Sequence, residues 1–278
     1  MKKLFTILAL ALTLAPGYAQ KKNIVLGKTE GNGVQSQWVA KMRSSILSGL
    51  TATGRLDVID GASLNGLSSD TGQALAQLAE VGGQFYLEAL LEDISTGSET
   101  LSSGKTNYKA KLEYSYKLYD VASGKVLSNK KLSHYGSSVD GRDAAISGAY
   151  GLIDDDIAQM VNTVFRVTAE IKAIDETHPK KGIVSVYLGA GADDGVTVGN
   201  IFEIFKVMDV AGEQITSKIG EMKVAEVKSA TLSLCKVTKG GKELQEALDN
   251  EIPVQVTSRP KTDTGRVLGG ISDVLNSL

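Results

Sequence analysis

The sequence predicts an α/β N-terminal domain, in the order βαβαβββα around a mixed sheet, followed by a small all-β barrel. Three observations point there. Apolar strand patterns and helical patterns alternate over the first half of the chain. Tyr108 to Leu118 alternates apolar and polar residues at period two, which makes one buried and one wet face. Beyond Phe165, short strand patterns follow one another between glycines.

Asn23 to Leu26 is the first apolar strand, and the glycine-rich stretch Gly27 to Gly33 reads as a loop. Val39, Met42, Ile46 and Leu50 recur at helical spacing and predict a helix over about Val34 to Leu50, with Trp38 beside its buried face. Leu56 to Asp60 is the second strand. Asp70 and Gln73 form a capping box that opens a helix through Leu75 and Leu78, stopped at Gly82 and Gly83. Phe85, Leu87, Ala89 and Leu91 alternate along the third strand, and the Ser/Thr/Gly-rich segment Ser95 to Thr106 reads as a loop. After the long strand, Ser123 and Gly124 mark a hairpin whose return strand is Val126 to Tyr135. Asp140 is the expected cap of a single helix running through Ala145, Ala149, Leu152, Ile153, Ile157, Met160, Val161 and Val164. The domain limits are therefore 20–164 and 165–259.

In the second domain the alternation of Phe165, Val167, Ala169, Ile171 and Ala173 opens a strand. Others are expected at Ile183–Leu188, Ile201–Met208, Ile219–Val227, Thr231–Val237 and Ile252–Thr257. One helical turn, Lys242 to Asp249, interrupts them. Strands this short and this closely spaced make a closed or nearly closed barrel. A tail, 260–278, ends the chain. Its Val267, Leu268, Ile271, Val274, Leu275 and Leu278 share one helical face and are the candidate partner-docking residues.

The 278 residues carry 30 Lys and Arg against 32 Asp and Glu, and the aromatic content is 5%. There is no basic field for nucleic acid and no stock of aromatics for stacking bases. With two His and one Cys, a Cys/His metal cluster and an internal disulfide are both excluded. No cofactor is expected.

Residues 1–19 read as a signal peptide. Lys2 and Lys3 precede the apolar run Leu4–Ala15, and Gly17 and Ala19 stand at the cleavage positions before Gln20. That apolar run is shorter than the ~20 residues of a spanning helix. No Cys follows it, so no lipid anchor is expected, and no later segment reads as a transmembrane helix. The mature chain is expected in the periplasm, peripheral to the outer membrane at most.

No catalytic constellation emerges. Gly189, Gly191 and Gly195 are followed by a strand pattern, where a phosphate loop needs a helix. Asp193-Asp194-Gly195 reads as a tight turn. Asp154, Asp155 and Asp156 lie on one helix, about 100° apart in succession, and are read as a solvated face. His134 on a strand and His178 in a loop are given surface positions. Cys235 reads as a buried thiol, an intermolecular disulfide being the alternative.

Three stretches of the first domain resemble the CsgG/LpoB family of envelope proteins, which act in curli secretion and in activating penicillin-binding proteins. They are Gly54–Asp60 after the first helix, the run ALAQLAEVGGQFYL ending at Leu87, and KLYDVASGKVL, Lys117–Leu127. In the second domain VYLGAGADDGVTVGNIFEIFKV and KIGEMKVAEV are similar to the C-terminal SH3-like domain of the flagellar protein FlgT. The resemblance implies the two folds, an SH3-like barrel for the second, and no catalytic residues. A CsgG-like pore is not implied: the segment Ser95–Thr106 is too short as a loop to supply two spanning strands and a turn. The expected function is that of a non-catalytic envelope accessory protein. It would act through protein–protein contacts or self-association in secretion, surface-structure assembly or wall-synthase regulation. The alternative is a periplasmic glycan- or ligand-binding module.

Overall fold

A computed structural model describes residues 21–259. The expected signal peptide and the six candidate docking positions of the tail lie outside the described residues. The chain divides into two compact units between Ala158 and Gln159, within one helix.

Unit 1 is built on a five-stranded mixed sheet. β1 (Lys22–Gly31) lies between β2 (Leu56–Asp60) and β3 (Phe85–Thr100) and is parallel to both. The meander β3, β4 (Thr106–Asp120) and β5 (Val126–Ser138) continues it antiparallel, giving the order β2-β1-β3-β4-β5. α1 (Ser36–Ala52) connects β1 to β2, and α2 (Thr71–Glu80) connects β2 to β3. The Asp70 carboxylate accepts from Gln73 N at 2.9 Å, so the α2 cap forms as the sequence predicts.

The two faces of the sheet follow from strand alternation. Val25, Tyr86 and Val121 form one cluster with Ala74 and Leu78 of α2. Ile24 and Leu26 therefore point to the other face, where Met42, Ile46 and Leu50 of α1 are also buried. Arg43 of α1 clips this layer to the strand ends. It donates to the Gly27 and Leu26 carbonyls at 2.7 and 2.9 Å and pairs with Asp60. On β4, Ala110, Leu112, Tyr114, Tyr116 and Leu118 are buried as the period-two pattern requires.

Four expectations are corrected here. β1 runs on to Gly31 through the glycine-rich stretch, because Gly27 leaves room for the Tyr86 ring. A Cβ on Gly27 would lie 1.9 Å from Tyr86. Ser95–Thr106 is not a loop: β3 and β4 pair from Phe85↔Asp120 out to Thr100↔Thr106. Both faces there are wet, so no apolar alternation marks the strands, and the ladder bonds alone define them. The helix after β5 starts at Arg142 with Gly141 (φ 133°) as cap, not Asp140. It is also broken, into α3 (Arg142–Tyr150) and α4 (Ile153–Val164). Trp38 is half-buried and stacks on Tyr150 at 5.8 Å.

Unit 2 is a curled antiparallel sheet in the order β6-β12-β9-β10-β11-β8-β7. Its strands are β6 (Thr168–Ala169), β7 (Ile171–His178), β8 (Gly182–Leu188), β9 (Ile201–Val210), β10 (Glu213–Val227), β11 (Ser233–Lys239) and β12 (Val254–Ser258). The two end strands, β6 and β7, are separated by Glu170 alone, so both margins of the sheet belong to one chain segment. α5 (Gly241–Asp249) supplies Leu244 to a core of Val186, Leu188, Phe202, Ile204, Met222 and Val256. Ala192–Asp194 form a single 3-10 turn closed by Gly195 in the left-handed region (φ 67°), the tight turn the sequence predicts.

Candidate interaction surfaces and buried polar groups

Of the three His and Cys side chains, Cys235 and His134 are turned inward. Cys235 on β11 is fully buried, and burial pushes its thiol up to about 12. His134 is not at the surface. It faces the core side of β5, opposite Leu112, and its Nε2 lies 2.5 Å from Asp156 Oδ2. The Tyr114 hydroxyl donates to the same oxygen at 2.8 Å. Burial, then the Asp156 carboxylate, push that hydroxyl well above the ordinary tyrosine range. Asp156 is therefore a buried anchor rather than part of a solvated acidic face. The signal was present in the strand phase: His134 keeps the parity of Gly136 and Leu132 on β5. It was masked because three consecutive acids on α4 read as surface. His178 ends β7, exposed, and its Nδ1 accepts from Lys180 N at 3.1 Å.

In unit 2, Glu221 is the centre of an ion network. Lys218 bonds it at 2.7 Å, Lys239 at 3.2 Å and Arg259 at 3.5 Å, while Glu203 takes Lys218 at 2.8 Å and Arg166 at 2.9 Å. The bonds from Lys218 and Lys239 hold the Glu221 carboxyl down at about 2. No sequence motif marks it, because only Lys218 and Glu221 share a strand, β10, while Arg166, Glu203, Lys239 and Arg259 come from separate segments.

An open groove of about 780 Å³ lies at the carboxyl end of β1, beside Leu90 within β3 and the start of α1. Thr29, Gly31, Asn32, Val34, Val39 and Leu90 line it, with no His or Cys among the lining residues. Among the described residues no cluster of three or more His, Cys, Asp or Glu could hold a metal ion. No helix among them is long and apolar enough to cross a membrane.

The wet face of unit 1 is a ladder of alternating charge across β3, β4 and β5. Lys109 pairs with Glu99 at 2.5 Å, Lys111 with Glu113 at 2.6 Å and Lys131 with Glu92 at 3.1 Å. β5 closes the sheet on one side, and no strand among the described residues pairs with its outer edge.

No family model matches the chain, and no curated protein matches it. Solved structures overlap it in part. A hypothetical protein of Chlamydia trachomatis is 13% identical with a TM-score of 0.41, covering 52% of this chain and 98% of that one. The lipoprotein GNA1162 of Neisseria meningitidis is 14% identical at 0.34, covering 52% and 99%. PelC of Paraburkholderia phytofirmans, solved as a dodecamer, is 14% identical at 0.32, covering 51% and 91%.

Proposed function

We propose that the chain is an exported, non-catalytic accessory protein of the cell envelope, acting by protein–protein contacts in secretion, surface-structure assembly or wall-synthase regulation. The observation that carries this reading is the leader, Lys2-Lys3 followed by Leu4–Ala15 and the small residues before Gln20. The inward placement of Cys235 and His134 supports a role without covalent chemistry. The sequence resemblance to the CsgG/LpoB family supports the envelope setting. We read residues 20–164 as the CsgG/LpoB-like domain and 165–259 as an SH3-like barrel, supported by the single segment that carries both margins of its sheet. The six apolar tail positions from Val267 to Leu278 are the proposed docking face for an envelope partner.

The test is direct. Mass spectrometry of the native protein should find an unlipidated N-terminus at or near Gln20, and a cytoplasmic chain that keeps Lys2 and Lys3 overturns the reading. Co-purification from envelope extracts should then yield a defined protein partner. A second reading, a glycan- or ligand-binding module, is favoured by the open groove at the carboxyl end of β1 beside Leu90. Retention on peptidoglycan without a protein partner supports that reading instead.

A further inference from the structure

We infer that β5 is a dimerisation edge: two copies of the chain pair antiparallel through it, with Ser133 on the two-fold axis, joining two five-stranded sheets into one.

β5 is long for an end strand, and its outer edge is not blunted by shortness or by proline. Exposed apolar residues gather along it. Tyr135 is 70% exposed, Val126 50% and Leu127 42%, and Val139, just past the strand, is 49% exposed. Leu127 also lacks a partner on β4, because Leu118 faces Ser128 and Tyr119 faces Val126 across a bulge.

The sequence of β5 selects both the occupant and the register. A two-fold that keeps both wet faces on one side must place one residue opposite itself, because side chains alternate. With Ser133 on the axis, Leu127 faces Val139 of the second copy, and Lys131 faces Tyr135. Asn129 meets Ser137, Lys130 meets Gly136, and Leu132 meets His134. The exposed apolar residues at the two ends cover each other, the exposed ring lies against the aliphatic stem of Lys131, whose ammonium stays with Glu92, and no like charges oppose. Other centres do worse. An axis on Lys131 sets that lysine against itself. One on Leu132 sets Lys130 against His134 and leaves Tyr135 facing Asn129. One on His134 moves Leu127 opposite Gly141, beyond the strand. The edge is thus complementary to itself in one register. Eleven facing positions within the strand, 128–138, provide about ten backbone hydrogen bonds, which is the number a stable protein interface carries.

The inference rests on the strand edge alone, so its failure leaves the envelope reading untouched. The full mature chain should sediment as a dimer. Ser133→Cys should cross-link to itself on mild oxidation or with a short thiol linker. The native Cys235 is buried and does not compete. Asn129→Cys alone should not cross-link, whereas a mixture of Asn129→Cys and Ser137→Cys chains should form the mixed dimer. Leu127→Lys with Val139→Lys, which sets lysines opposite each other twice, should weaken self-association about ten-fold or more with an unchanged circular dichroism spectrum. A chain that sediments as a monomer at every concentration overturns the inference. So does a dimer in which Ser133→Cys cross-links no better than Asn129→Cys.

Discussion

His134 of β5 and Asp156 of α4 meet at 2.5 Å, and the Tyr114 hydroxyl reaches the same carboxylate oxygen at 2.8 Å. One carboxylate thereby ties two neighbouring strands to the helix that covers them, in a part of unit 1 otherwise packed by apolar side chains. Polar groups buried in this way fix relative position because each loses its water and depends on its protein partners.

Removing that carboxylate should therefore cost more than removing one donor. Asp156→Ala leaves the Tyr114 hydroxyl and the His134 ring buried without their acceptor, at about 1–3 kcal/mol each. Tyr114→Phe removes one bond and leaves His134 served, so its loss should be clearly smaller. Urea unfolding of both variants, followed by tyrosine fluorescence and circular dichroism, measures the difference. Equal losses would show that the carboxylate does not hold the two groups jointly.

Gly136 should not tolerate a side chain. A Cβ there would lie 2.0 Å from the Ala145 carbonyl oxygen and 2.7 Å from Ala149 N, both backbone atoms of α3. Gly136→Ala should destabilise unit 1 by about 1–3 kcal/mol, the cost of overpacking, by prising α3 from β5. Gly97→Ala on the projecting part of β3, where a Cβ meets nothing within 4 Å, is the matched control and should change little. Thermal melts of the two variants decide this.

The stability of unit 2 should depend on Glu221 in acid. Its carboxyl is held at about 2, below the ordinary 4.5. A group depressed in the folded state contributes stability above its unfolded value and loses it as pH falls through the folded one. The contribution of Glu221 is therefore complete at neutral pH and drains away from about pH 4.5 down to about 2. Melting curves of Glu221→Gln over that range should fall less steeply with acid than those of the wild type. Parallel curves would place the acid sensitivity elsewhere, first at Glu203, whose carboxyl Lys218 also holds low.

Cys235 should be silent in the native chain. Its thiol is fully buried and pushed up to about 12, so almost no thiolate exists at pH 8. Iodoacetamide should label it only at the rate of unfolding, and fully in denaturant. Rapid labelling of the folded chain would mean that β11 opens locally.

The sequence located elements well wherever one face was apolar and the other wet. β2 has the predicted limits, and the buried residues of β4 are the ones the alternation names. It failed where both faces are wet, as at the end of the β3–β4 hairpin, and where a break costs little, as between α3 and α4. The missed buried pair failed for a third reason: His134 and Asp156 are 22 residues apart and each reads as surface when alone.

The sequence by itself determined the alternation of elements, the α/β-then-β order, the leader pattern, and the exclusion of an internal disulfide and of a Cys/His metal cluster. These depend on residue type and on periodicities of 2 and 3.6, which are local. Tertiary structure alone decided that β1 lies between β2 and β3, that Asp156 faces inward to Tyr114 and His134, that four cations gather around Glu221 and Glu203, and that β5 is left as an open edge. Each depends on pairing between distant segments, and the energy of a pair exists only once both partners have been brought together and stripped of water.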